Sequence, residues 1–132
     1  MNKEFIPYEQ ALELKELWFD EECIASYFLN TEQQSEYEIK YKLKREEIIF
    51  SNDGLFDYNT YGQISAPTFS QAFRWFRSEY ALHSFVSGNF PMSTPLRFYY
   101  EIEETSDDYH YDTYEEAELA CLKKLIEIVK NK

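Results

Sequence analysis

The residues best suited to chemistry crowd into one stretch. Between positions 98 and 122 lie nine carboxylates, Glu101, Glu103, Glu104, Asp107, Asp108, Asp112, Glu115, Glu116 and Glu118, with no lysine or arginine among them. Negative charge at this density can imitate the phosphate spacing of a nucleic acid and occupy the basic groove of a nuclease or another DNA-binding enzyme. It is equally the composition of a solvated strand edge, loop and helix N-terminus. Glu101, Glu103, Glu104, Asp107, Asp108 and Asp112 are the candidate partner-binding residues of an acidic surface. His110, flanked by Tyr109 and Tyr111 and close to Asp107, Asp108 and Asp112, adds an imidazole that a hard-metal or His-Asp acid/base site would use. The string lacks the helical HExxH geometry or a metal-loop spacing, so no metal site is assigned.

The positive groups are fewer. Arg74 and Arg77 share one face of a predicted helix, and Lys40, Lys42 and Lys44 share one face of a predicted strand, which makes them candidates for an anion contact. The field of the whole molecule opposes phosphate binding, and these cations can instead pair with the abundant carboxylates. Cys23 follows Asp20-Glu21-Glu22, whose charges raise a thiol pKa, so it is not read as a nucleophile. There is no GxSxG and no phosphate-binding glycine loop, and the chain has only three glycines. No catalytic residue and no cofactor is assigned.

The balance of charges sets the broad class. Thirteen basic residues against 25 acidic ones give a net charge of -12, which disfavours direct nucleic-acid binding and adhesion to anionic membranes. The charge is uneven: residues 1–39 carry net -8, residues 40–97 net +2 and residues 98–132 net -6. Cys23 and Cys121 are far apart without a CxxC pair, and read as two buried thiols rather than a disulfide or zinc site. No apolar run approaches a membrane span and the N-terminus lacks a leader pattern, so a cytoplasmic location is expected. At 132 residues, 19% of them aromatic, a single domain spanning 1–132 can build its core from a few large rings.

The elements that must position these residues follow from periodicity. Tyr8, Ala11, Leu12, Leu14, Leu17 and Trp18 recur at helical spacing after Pro7, predicting a first helix over about 7–18. Cys23–Leu29 is an apolar run of strand length. Tyr37, Ile39, Tyr41 and Leu43 alternate with charged residues as a second strand, its partner by hairpin, and Ile48-Ile49-Phe50 is a short third strand before an Asp53-Gly54 turn. Residues 51–66 are read as a mobile loop, as are 104–112. Thr68 and Gln71 open a central helix that presents Phe69, Ala72, Phe73, Phe76 and Tyr80 on one side and Ser70, Arg74, Arg77 and Ser78 on the other. After a loop at 88–91, Leu96, Phe98, Tyr100 and Ile102 alternate as a strand. Thr113 with Glu116 caps the last helix, expected to bury Tyr114, Ala117, Cys121, Leu125 and Ile128. The predicted fold is α+β: a small mixed or antiparallel sheet of three to four strands with three helices, mainly on one face.

Four stretches carry a resemblance: Phe5-Ile6-Pro7-Tyr8-Glu9-Gln10-Ala11-Leu12, Ser65 through Arg77, Tyr99-Tyr100-Glu101-Ile102, and Tyr111 through Leu122. Together they resemble small uncharacterised proteins of gut Bacteroidales, their phages and mobile elements. The resemblance implies an origin and assigns no functional residue. In that group the first helix commonly ends in Leu-Gly-Phe-Asp, where this chain has Leu17-Trp18-Phe19-Asp20, so the helix is expected to end differently.

The expected function is that of a non-enzymatic interaction protein of phage or mobile-element origin, binding a protein partner through an acidic, aromatic surface. Two alternatives stand beside it: a DNA-mimic inhibitor of a basic nucleic-acid enzyme, and a small enzyme or ligand-binding domain with a site under the 51–66 loop, lined by Arg74, Arg77 or His110.

Overall fold

The computed structural model describes residues 4–28, 48–50, 63–89, 96–103, 105–106 and 109–132. The class is α+β, with three helices and antiparallel strands among the described residues. The strands do not form the one sheet expected: they divide between two three-stranded sheets, and the chain divides into two compact units, Met1–Thr68 and Phe69–Lys132.

In the first unit, α1 (Tyr8–Glu16) starts after Pro7, whose φ of -65° and ψ of 159° place it as the N-cap just before the first turn. Tyr8, Gln10, Ala11 and Leu14 are buried, and α1 packs against β3 (Gln63–Ser65). The central strand is β1 (Ala25–Phe28), flanked by β2 (Ile48–Phe50) and β3 in the order β2-β1-β3, both pairings antiparallel. Ala25–Phe28, within the apolar run predicted as a strand, and the short Ile48–Phe50 segment are thus both strands, and Leu29 lies outside the described residues. Gln63–Ser65, at the end of the stretch read as a loop, is a strand too. It shows no alternation because Ile64, Ser65 and Ala66 are all buried, and small side chains carry the segment past β1. The predicted strand at 37–43, Lys40, Lys42, Lys44 and the Asp53-Gly54 turn lie outside the described residues.

The N-terminal segment is fastened to this unit by polar bonds. The Ile6 N–H donates to the Pro67 carbonyl at 3.0 Å, and the Tyr27 hydroxyl donates to the Ile6 carbonyl at 2.8 Å in a buried setting. Burial raises the Tyr27 pKa, keeping the phenol protonated as a donor. Tyr8 meets the Tyr27 ring edge-on at 5.6 Å, which closes the core around Phe5, Ile6 and Leu14.

In the second unit, α2 (Phe69–Tyr80) buries Phe69, Ala72, Trp75 and Phe76. Trp75 was not on the expected apolar face; its ring lies edge-on to Phe76 at 5.1 Å and to Tyr80 at 5.4 Å, so the buried arc is wider than the count of aliphatic positions implied. The sheet runs β4 (Ser84–Asn89), β5 (Arg97–Ile102) and β6 (Thr105–Ser106), antiparallel throughout. β4 takes in Gly88 and Asn89 of the expected 88–91 loop, and its neutral residues show no strong period in the sequence. Gly88 has a role there: a Cβ at this position would lie 3.2 Å from the Phe98 ring opposite.

The last helix, α3 (Tyr114–Lys130), begins as predicted, with the Glu116 N–H donating to Thr113 Oγ1 at 3.1 Å. It buries Ala117, Cys121, Leu122, Leu125 and Ile126. Tyr114 is exposed and Ile128 only half-buried, so the apolar stripe is rotated toward Leu122 and Ile126. It packs against β5, β4 and α2.

Two helices end on left-handed residues that are not glycine. At the end of α1 the Phe19 N–H reaches the Leu14 carbonyl at 3.0 Å and the Trp18 N–H reaches Lys15 at 3.0 Å, a Schellman closure with Trp18 at φ 67°. Trp18 is therefore not a core residue as its spacing suggested, but 86% exposed. The end of α2 places Ala81 at φ 54°, with its N–H on the Arg77 carbonyl at 3.1 Å. A left-handed residue with a Cβ costs roughly 1–2 kcal/mol. Replacing Trp18 by glycine is expected to stabilise the fold by about 1 kcal/mol, since the ring contributes little buried area. Urea unfolding checks this; a lower midpoint for Trp18→Gly would show that the exposed ring holds the fold in another way.

Candidate functional site

The candidate site is the sheet of the second unit, and its two faces follow from strand periodicity. Cross-strand partners share a face. Ser84 with Ile102, Val86 with Tyr100 and Gly88 with Phe98 point one way, toward α3, whose Tyr114 ring meets Phe98 edge-on at 6.0 Å. Phe85 with Glu101, Ser87 with Tyr99 and Asn89 with Arg97 point the other way. On this outer face Phe85 is 50% exposed, and Arg97 and Glu101 are exposed.

Aromatic rings run along it. Phe85 and Tyr99 stand at 6.4 Å, Tyr99 and His110 at 5.8 Å. On the other face, where Tyr100 is turned toward α3, Tyr111 stacks on Tyr100 at 6.3 Å, and Tyr109, 63% exposed, leans on Tyr111 at 4.8 Å. The Tyr111 backbone is held by reciprocal bonds with Phe98, of 2.7 and 2.9 Å, which fixes the Tyr109–Tyr111 segment beside β5.

The predicted acidic residues separate into groups. Glu101 and Glu103 are both exposed and line one open depression of about 560 Å³ together with His83, Phe85, Ile102 and Thr105. Asp112 pairs with Arg97 in an exposed ion pair, so its charge is partly neutralised. Glu104, Asp107 and Asp108 lie outside the described residues. Arg74 and Arg77 are exposed on α2. His110 rests against Tyr99, and among the described residues no group of three or more His, Cys, Asp or Glu is placed to hold a metal ion.

Both cysteines are buried free thiols. The Cys23 thiol lies 3.5 Å from the Glu21 carbonyl oxygen, to which it donates. Burial pushes the Cys121 thiol up to about 11. The Ser84 hydroxyl is buried and has no hydrogen-bond partner among the described residues. A protonated thiol under a covered serine is not a nucleophile.

The residues that the acidic pattern did not announce are Phe85, Tyr99 and His83. Tyr99 carried a signal: it sits at a polar-face position of an alternating strand, where a large ring has no core to enter. Phe85 and His83 carried none, since β4 has no legible period. No helix among the described residues is long and apolar enough to cross a membrane.

One carboxylate departs from its usual behaviour. Half-buried on α3, Glu118 is pushed from 4.5 up to about 7, first by desolvation and then by the nearby Glu115 charge. The folded protein thus holds a proton that the unfolded chain has released between those two values, and stability falls as pH rises through about 4.5 to 7. Glu118→Gln is expected to stabilise the protein at pH 8, by about 1 kcal/mol once solvent screening of a half-exposed group is allowed for, and to leave it unchanged near pH 4. Thermal melts across that range decide it, and equal shifts at both ends would remove the assignment.

Comparison with protein-family models, with curated proteins and with solved structures finds no match.

Proposed function

We propose that this chain is a non-enzymatic interaction protein of phage or mobile-element origin, acting in the cytoplasm, that binds a protein partner through an acidic, aromatic surface. The observation that carries the proposal is the outer face of the β4–β5 sheet. There Phe85, Tyr99 and His110 form a run of rings beside the exposed carboxylates Glu101 and Glu103. Exposed rings supply contact area at low entropic cost, and flanking charge steers the encounter. The depression they border is open and lined by mixed groups that do not converge as a nucleophile, base and oxyanion site would.

The DNA-mimic reading is a special case of the same proposal, in which the partner is a basic nucleic-acid enzyme. It draws on the same carboxylates, extended by Glu115 and Glu116 at the exposed start of α3.

Capture experiments with the tagged protein in extract of its own cell background, at low and high salt, test the proposal. A partner recovered at low salt is expected to be weakened at high salt and lost when Glu101→Lys and Glu103→Lys are combined with Tyr99→Ala. Identical profiles from the wild type and this variant at both salts would sink the proposal. A single basic nuclease would select mimicry.

A further inference from the structure

We infer that the edge of β4 left unpaired among the described residues takes an extended, lysine- or arginine-bearing polypeptide segment as an added strand, with its basic side chains reaching Glu101 and Glu103 across the outer face. This rests on the interaction reading above and names the chemistry of the partner.

The first ground is the hydrogen-bonding parity of β4. Among the described residues β4 is paired on one side only, in the order β4-β5-β6. The Glu103 N–H donates to the His83 carbonyl at 3.0 Å, one step beyond the Ser84–Ile102 pair. In an antiparallel ladder bonded and non-bonded pairs alternate. Phe85, Ser87 and Asn89 therefore turn their backbone groups to β5, and Ser84, Val86 and Gly88 turn theirs outward. The other side of β5 agrees, since Phe98, opposite Gly88, spends both its backbone groups on Tyr111. Three N–H and three C=O groups at alternate residues form a strand template.

The second ground is the lack of protection. Edge strands are ordinarily blunted by charge, proline or a bulge. Ser84-Phe85-Val86-Ser87-Gly88-Asn89 has neither a charged residue nor a proline, and its register with β5 is unbroken over all six pairs.

The third is charge. Beside this neutral edge stand Glu101 and Glu103, while Arg97 of the same face is already paired with Asp112. Neighbouring strands lie about 4.8 Å apart, so a lysine or arginine on an added strand can pass the half-exposed Phe85 ring, with a cation–π contact, and enter the depression holding both carboxylates. A second copy of this chain, with its net charge of -12, would set like charges against each other there, and a nucleic acid would be repelled. A basic extended peptide satisfies both the edge and the field.

A fluorescently labelled octapeptide alternating lysine with valine or threonine, titrated by anisotropy, tests this on the full chain. Binding is expected at low salt, weakened about tenfold or more by Glu101→Lys with Glu103→Lys and by Val86→Pro. The Val86 N–H points outward, so proline there removes an edge donor while leaving the β5 ladder in place; circular dichroism checks the fold. Should Val86→Pro not fold, a peptide of equal charge with proline at its valine positions asks the same question and is expected to bind about tenfold more weakly. Equal affinity with proline on either side overturns edge pairing even if partner capture still depends on Glu101 and Glu103. Absence of peptide binding, or concentration-dependent self-association in sedimentation, overturns the basic-peptide occupant, and the capture experiment separately decides the interaction reading.

Discussion

Everything proposed for this protein depends on one arrangement in the second unit: a short antiparallel sheet with a helix packed on one face. α3 takes Tyr100 and Ile102 out of water, and in doing so it sets the direction of every other side chain on β5. Period two leaves no freedom. Once Phe98, Tyr100 and Ile102 face the helix, Arg97, Tyr99 and Glu101 must face away. A slip of one residue would turn Glu101 and Arg97 toward α3 and bury their charges, at a cost no surface contact could offset. The outer face is thus a consequence of core packing, and its aromatic content is a choice the core did not require.

The same packing shapes the electrostatics of the covered side. Where α3 approaches the sheet, Cys121 and Glu118 lose water, and both are held toward their neutral forms. Tyr114, one turn before Glu118, is raised as well, by desolvation and then by the neighbouring charges of Glu118, Cys121 and Glu115. These shifts share a structural cause, a helix whose first turns are acidic and partly covered. They describe how the helix sits and do not point to catalysis, because none of the three lines the depression on the outer side.

How much of this was legible depended on how long each pattern ran. α2 and α3 are long enough for their periodicity to average out errors, and Thr113 capped α3 where the capping box placed it. β5 alternates over six residues and was equally plain. β3 and β4 were not. Ile64, Ser65 and Ala66 are buried in succession, which erases alternation, and in β4 the two serines, Gly88 and Asn89 around Phe85 and Val86 fit a loop as readily as a strand. Trp18 misled for a different reason. Its spacing is helical, but the Schellman closure of α1 needs a left-handed residue at that position, and backbone geometry overrides side-chain preference there. The acidic half of the site could be named from the sequence because charge is local information. The aromatic half required knowing that β4 pairs with β5, since Phe85 and Tyr99 meet only across the sheet.

That asymmetry bears on function. Carboxylates alone are the default of a soluble surface and say little. Rings alone on an open sheet face would be a liability, inviting indiscriminate association. Placed together they restrain each other: Glu101 sits directly across from Phe85, and the Arg97–Asp112 pair borders Tyr99 and His110. On the proposed reading, like charge would oppose the approach of a second copy, and a partner bringing positive charge would approach the apolar area without electrostatic cost. Here the groups are spread along a strand pair and open to solvent, an arrangement suited to meeting another extended surface.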